Sequence, residues 1–114
     1  MASPGVLDLS FSDLEIVQHI LQTHVSGRPV FVFGSRVTGR ARRRSDLDLA
    51  IGGDTSLSRS TMADLREAFD ESDLPIEVDV VDLSDATGVF RTRIESEWIP
   101  LNLAAEQLAL KVSA

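Results

Sequence analysis

The chain has 114 residues, 43% of them hydrophobic and 25% charged, which argues for one globular domain with one modest core. Its net charge of -7 disfavours a general nucleic-acid binder, and the lack of cysteine excludes disulfides and thiolate metal sites. No apolar run approaches the ~20 residues of a membrane span, and no basic stretch leads into an apolar core at the N-terminus. No membrane association or signal peptide is therefore expected, and the cytoplasm is the default location.

Residues 1–9 read as a loose arm on a single domain spanning 1–114. Ser12 with Glu15 three residues on reads as a capping box. Leu14, Val17, Leu21 and Val25, with Ile16 and Ile20, form a helical apolar stripe that Gly27 and Pro29 end. Val30 to Phe33 follows as a first strand. Residues 34–45, rich in Gly and Arg, predict a turn with at most one short helical turn. Asp46 to Ile51 alternates as a half-buried strand, with Leu47, Leu49 and Ile51 on one face. Gly52-Gly53-Asp54 breaks it. A second helix is predicted over 60–71 on Met62, Leu65 and Phe69, and a third strand from Ile76 to Val81. Ser84 or Asp85 could cap a third helix to about Glu97. Pro100 interrupts the chain, leaving 101–114 as a tail or docking segment. This order predicts a small α/β (α+β) domain with a short mixed sheet and helices packed mainly on one face.

The chemistry gathers in the middle of the chain. Gly34 allows close backbone approach to a phosphate, and Ser35 adds a hydroxyl donor. Arg36 could add a charge-assisted contact. Asp46 and Asp48, at i and i+2 of a strand, share a face and can converge on a hard cation. By the same parity Glu77 and Asp79 lie opposite Ile76, Val78 and Val80. If the apolar faces of both strands meet the helices, all four carboxylates fall on the other face. Two or three of them could hold one or two Mg²⁺ ions. Gly34 and Gly39 have P-loop spacing, but Arg40-Ala41 stands where Lys then Ser or Thr is required.

The run Gly34-Ser35-x10-Asp46-x-Asp48, with the later Val78-Asp79-Val80, resembles the minimal nucleotidyltransferases of the DNA polymerase β superfamily. It looks most like the short MNT proteins paired with HEPN partners as toxin–antitoxin systems. The fuller runs Gly34-Ser35-Arg36-x-x-Gly39 and Ser45-Asp46-Leu47-Asp48-Leu49-Ala50 are similar to that family's signature. Four fixed identities arise by chance at roughly 1 in 10⁵ starting positions, so the match is specific. The resemblance implies that Gly34 and Ser35 hold the triphosphate of ATP and that Asp46 and Asp48 bind Mg²⁺. Asp79, with Glu77 as its substitute, would be a third metal ligand or the base. It implies transfer of AMP, with release of pyrophosphate, to a tyrosine hydroxyl of a HEPN-type toxin. Trp98 departs from the family, where a small residue is frequent.

So short a chain leaves little room for an acceptor domain, which also favours a macromolecular partner and a homo- or hetero-oligomer. Two other readings are a non-catalytic antitoxin that acts by occlusion and a small-molecule nucleotidyltransferase of the aminoglycoside-modifying kind. The remaining features read as structure. Five of the eleven basic residues lie at Arg36, Arg40, Arg42, Arg43 and Arg44, a solvated or partner-facing segment apart from Arg36. His19 and His24 lack metal-site spacing. Phe31, Phe33, Phe69 and Phe90 read as core, and Trp98 as core edge or interface.

Overall fold

The computed structural model describes residues 7–101, so the expected arm at 1–6 and tail at 102–114 lie outside the described residues. Helix α1 runs Phe11–Val25 and buries Leu14, Val17, Ile20, Leu21 and Val25. Its cap is Ser10, not Ser12. The Ser10 hydroxyl accepts the Asp13 N–H at 3.2 Å, and the first backbone bond returns from Leu14 N–H to the Ser10 carbonyl. Ser12 is left exposed inside the first turn.

Strand β1 (Val30–Phe33) leads into the short helix α2 (Ser35–Thr38). Strand β2 (Leu47–Ile51), helix α3 (Arg59–Asp70) and strand β3 (Val78–Asp82) follow. A 3₁₀ turn (Leu83–Asp85), helix α4 (Gly88–Glu97) and a two-residue strand β4 (Ile99–Pro100) complete the described chain. The sheet order is β3-β2-β1-β4. β1 is antiparallel to both β2 and β4, whereas β2 and β3 are parallel, with α3 as the crossover a parallel pair requires. β4 was not expected. It is an edge strand, where Pro100 removes no ladder bond.

The predicted class is therefore observed, a mixed sheet with the two long helices on one face. There Leu14 and Val17 meet Leu47, Leu49, Ile51, Leu65 and Val80 in one cluster. Each such side chain contributes about 1.5–3 kcal/mol by leaving water. Residues 7–9 are not loose: Leu7 and Leu9 are buried in this cluster, and the Asp8 N–H donates to the Arg36 carbonyl at 2.7 Å. Leu101 joins it as well.

The opposite face is also covered. Phe33, Ala50, Leu83, Ala86 and Ile94 form a second cluster beneath α4. Ala50 is 0% exposed, so β2 is buried on both faces at that position rather than half-buried along its length. Neither Ser84 nor Asp85 caps α4; Thr87 occupies that position. Ser84 is instead engaged by Asp82, whose carboxylate accepts the Ser84 N–H and hydroxyl and, through its other oxygen, the Leu57 N–H at 2.7 Å. Burial opposes ionisation of Asp82. These hydrogen bonds and the charge of Arg28 outweigh it and hold the carboxyl below its usual range.

Trp98 stacks on Phe31 with ring centroids 4.1 Å apart, fastening the end of α4 to β1. Such a pair contributes about 0.5–1.5 kcal/mol beyond its area. Phe90 departs from the core assignment. It touches Phe33 edge-on but remains 43% exposed, beside the 88% exposed Val89. Among the described residues no helix is long and apolar enough to cross a membrane.

Candidate active site

Strand register assembles the site. Asp48 lies directly across from Asp79 in the parallel β2–β3 pair. On its other side Asp48 faces Phe33, the residue before Gly34, in the antiparallel β1–β2 pair. Alternation places Asp46 on the same face, just before β2. The turn and the carboxylates are thus neighbours across three strands. Glu77 meets β2 through its backbone: its carbonyl accepts the Leu47 N–H at 2.9 Å.

The three aspartates differ in environment. Asp46 and Asp79 are exposed, whereas Asp48 is half-buried beneath α4. Burial pushes the Asp48 carboxyl up to about 6, and the charges of Asp79 and Asp46 push the same way. Arg93 opposes the rise and Glu97 adds to it.

Gly34 begins the Gly-Ser turn with φ +83, a conformation that favours glycine. A Cβ here would overlap the Asp48 carboxylate. The residue type therefore sets how close the turn comes to the carboxylates. Gly34→Ala should lower nucleotidyl transfer on the order of 10²-fold, the loss that follows a ~1 Å misplacement in a site. Steady-state kinetics check this. Activity within threefold of the parent would refute the close-packing argument.

Arg36 corrects the sequence reading. It is buried, and its guanidinium is spent on backbone carbonyls. Nε and one Nη donate to the Ser45 carbonyl at 3.1 and 2.9 Å, and the other Nη donates to the Asp8 carbonyl at 2.8 Å. A longer bond reaches the Arg43 carbonyl. Arg36 thus shapes the 40–45 loop that delivers Asp46, instead of extending to a phosphate. Arg40, Arg42, Arg43 and Arg44 are exposed, as expected.

Two residues near the turn carried no sequence motif. Glu97 Oε1 accepts the Gly34 N–H at 3.1 Å, and Arg93 Nε lies 3.6 Å from that same oxygen. Both come from α4, some sixty residues beyond the turn.

Among the described residues no three or more His, Cys, Asp or Glu side chains are gathered closely enough to cage a metal by themselves. Magnesium does not require that. It takes one or two carboxylates and completes its shell with water and phosphate oxygens. The donor set fits such a hard cation: oxygen ligands only, with Asp48 under the negative field of its neighbours. A cleft of about 500 Å³ at the free edge of β3 is lined by Asp79, Ser58, Arg59 and Arg66 among others. A larger hollow of about 650 Å³, between the end of α1 and Leu101, contains none of these carboxylates.

The fold that carries this arrangement has known counterparts. The family model described as polymerase beta, nucleotidyltransferase, matches residues 15–103, and the chain belongs to that family of nucleotidyltransferases. Among individual relatives, it is 42% identical over 99 residues to a probable protein adenylyltransferase, MntA, of Haemophilus influenzae, covering 87% of each chain. Solved structures share the fold. A chain of a toxin–antitoxin crystal structure with AMP-PNP superimposes with a TM-score of 0.65 at 24% identity, covering 86% of this chain and 82% of that one. The structure of a tri-AMPylated Shewanella oneidensis HEPN toxin with its MNT antitoxin gives 0.60 at 21% identity, covering 88% and 80%.

Proposed function

We propose that the chain is a metal-dependent protein adenylyltransferase that moves AMP from ATP to a hydroxyl of a HEPN-type toxin, and so acts as its antitoxin in the cytoplasm. The observation that carries this reading is the register Asp48 opposite Asp79, with Gly34-Ser35 beside them. The 42% identity to a protein adenylyltransferase and the shared fold with antitoxin complexes support the choice of acceptor.

Each residue then has a task. Gly34 brings the backbone close to the triphosphate, and the Ser35 hydroxyl donates to a phosphate oxygen. Asp46 and Asp48 hold Mg²⁺, with Asp79 as a third ligand or as the base. Bound there, Mg²⁺ supplies positive charge to the triphosphate and to the departing pyrophosphate. The acceptor oxygen attacks the α-phosphorus, a new O–P bond forms, and the bond to the β-phosphate oxygen breaks. As base, Asp79 receives the proton of the attacking hydroxyl. Its exposure, at the mouth of the β3-edge cleft, leaves room for an acceptor side chain.

Catalytic protection and protection by occlusion separate in one experiment. The toxin is co-expressed with the parent chain or with Asp46→Asn plus Asp48→Asn, and growth and co-purification are followed. The double variant should still co-purify but fail to protect. Protection by a variant that still binds would favour occlusion.

A further inference from the structure

Gly34, Glu97 and Arg93 form a chain of contacts that the transfer chemistry above does not use. Glu97 lies in the last turn of α4, and its side chain is only 13% exposed. One of its oxygens takes both the Gly34 N–H, at 3.1 Å, and the Arg93 guanidinium, at 3.6 Å. The other ion pair of α4, Arg91 with Glu95, makes no such link to the turn; Arg91 instead donates to the Leu83 carbonyl.

A carboxylate at this position carries an electrostatic cost. It adds negative charge to a site that already holds Asp46, Asp48 and Asp79 and must receive an anionic triphosphate. Two features offset that cost. Glu97 fixes the first N–H of the turn, which sets the turn's orientation. It also holds a cation at the rim. Arg93 pairs with Glu97 through Nε, while its side chain is 61% exposed. A guanidinium has five donors, so its terminal nitrogens can reach a ligand without releasing the carboxylate. Arg36, adjacent to the turn in sequence, is committed to the 40–45 loop and cannot do this. Both Arg93 and Glu97 are near enough for Asp48 to feel their charges.

We propose that α4 carries a phosphate-positioning pair: Glu97 sets the Gly34 turn, and Arg93, held by Glu97, contacts the β- or γ-phosphate of the bound nucleotide. The proposal rests on the nucleotide-binding reading of the site. Arg93 is then a binding residue, and Glu97 a positioning residue acting through it and through the turn.

The test is calorimetric titration of the full chain with AMP-PNP and Mg²⁺, and separately with AMP and Mg²⁺. Arg93→Ala should weaken AMP-PNP binding on the order of ten- to a hundredfold, the range for a charge-assisted hydrogen bond. It should leave AMP binding within threefold, which a general loss of the fold would not. Arg93→Lys should recover part of the loss. Glu97→Gln keeps an oxygen for the Gly34 N–H and should lose less than Glu97→Ala, with the difference appearing in kcat as well as KM. Equal AMP-PNP affinity in parent and Arg93→Ala would overturn this proposal alone. No AMP-PNP binding by the parent would overturn the nucleotide reading, and this proposal with it.

Discussion

Asp48→Asn is expected to lower AMP transfer on the order of 10³-fold, the scale of losing one preorganised transition-state contact. The same change should make the metal-free protein more stable above about pH 6. Both effects come from one placement. Asp48 is half-buried between Phe33 and Asp79 across the strands, and burial plus the charges of Asp79 and Asp46 raise its carboxyl to about 6 from 3.8. The folded-state value lies above the unfolded one, so the fold favours the protonated form. The resulting stabilisation is fully present below about pH 3.8 and is lost as pH rises through about 6. Asparagine cannot ionise and escapes that loss. Thermal melts from pH 4 to 8 without metal should therefore show the parent falling relative to Asp48→Asn across that window. Added Mg²⁺ with AMP-PNP should narrow the gap by stabilising the parent selectively. Nucleotide–metal binding to the parent should weaken below about pH 6, where protons compete for the carboxylate. Parallel pH profiles for the two proteins would refute the electrostatic account of Asp48.

Arg36→Ala is expected to cost roughly 3–4 kcal/mol of stability. Its removal leaves the carbonyls of Ser45, Asp8 and Arg43 without their donor, and unsatisfied groups of this kind cost about 1–3 kcal/mol each. That is a large share of the ~5–15 kcal/mol that holds a domain together. Arg36→Lys should fare little better, because one ammonium cannot span carbonyls that a planar fork reaches in two directions. Urea melts measure the loss. A cost below about 1 kcal/mol would show that the loop holds itself. Because Ser45 adjoins Asp46, surviving Arg36→Ala protein should also lose transfer activity through a misplaced carboxylate.

The parts of the fold that were legible in the sequence follow from period. Leu14, Val17, Leu21 and Val25 recur at helical spacing, and Leu47, Leu49 and Ile51 at strand spacing, so each element's core side could be read directly. Parity put Asp48 and Asp79 on one face once both apolar strand faces were taken to meet the helices. Their direct opposition depends on parallel register, which no local pattern encodes. Contacts distant in sequence stayed hidden for the same reason. Glu97 reaches Gly34 with no motif to announce it, and Ala50 is covered by α4 although its strand reads as half-exposed. Arg36 shows the opposite error. Its position beside Gly34-Ser35 suggested phosphate, while the fold turns its guanidinium into the 40–45 loop. Ser12 read as the cap of α1, yet it is Ser10 whose hydroxyl accepts the Asp13 N–H. Leu7 and Leu9 sit in a segment too short for its alternation to stand out, yet they complete the core.

We propose that this turn and these aspartates transfer AMP to a partner protein. Incubating the chain with the proposed HEPN-type toxin partner, Mg²⁺ and ATP labelled at either the α- or the γ-phosphate tests this most directly. Label from the α-phosphate should appear on a toxin hydroxyl, with none from the γ-phosphate and none when Asp48→Asn replaces the parent. Label arising from the γ-phosphate, or α-label of equal strength with Asp48→Asn, would contradict it.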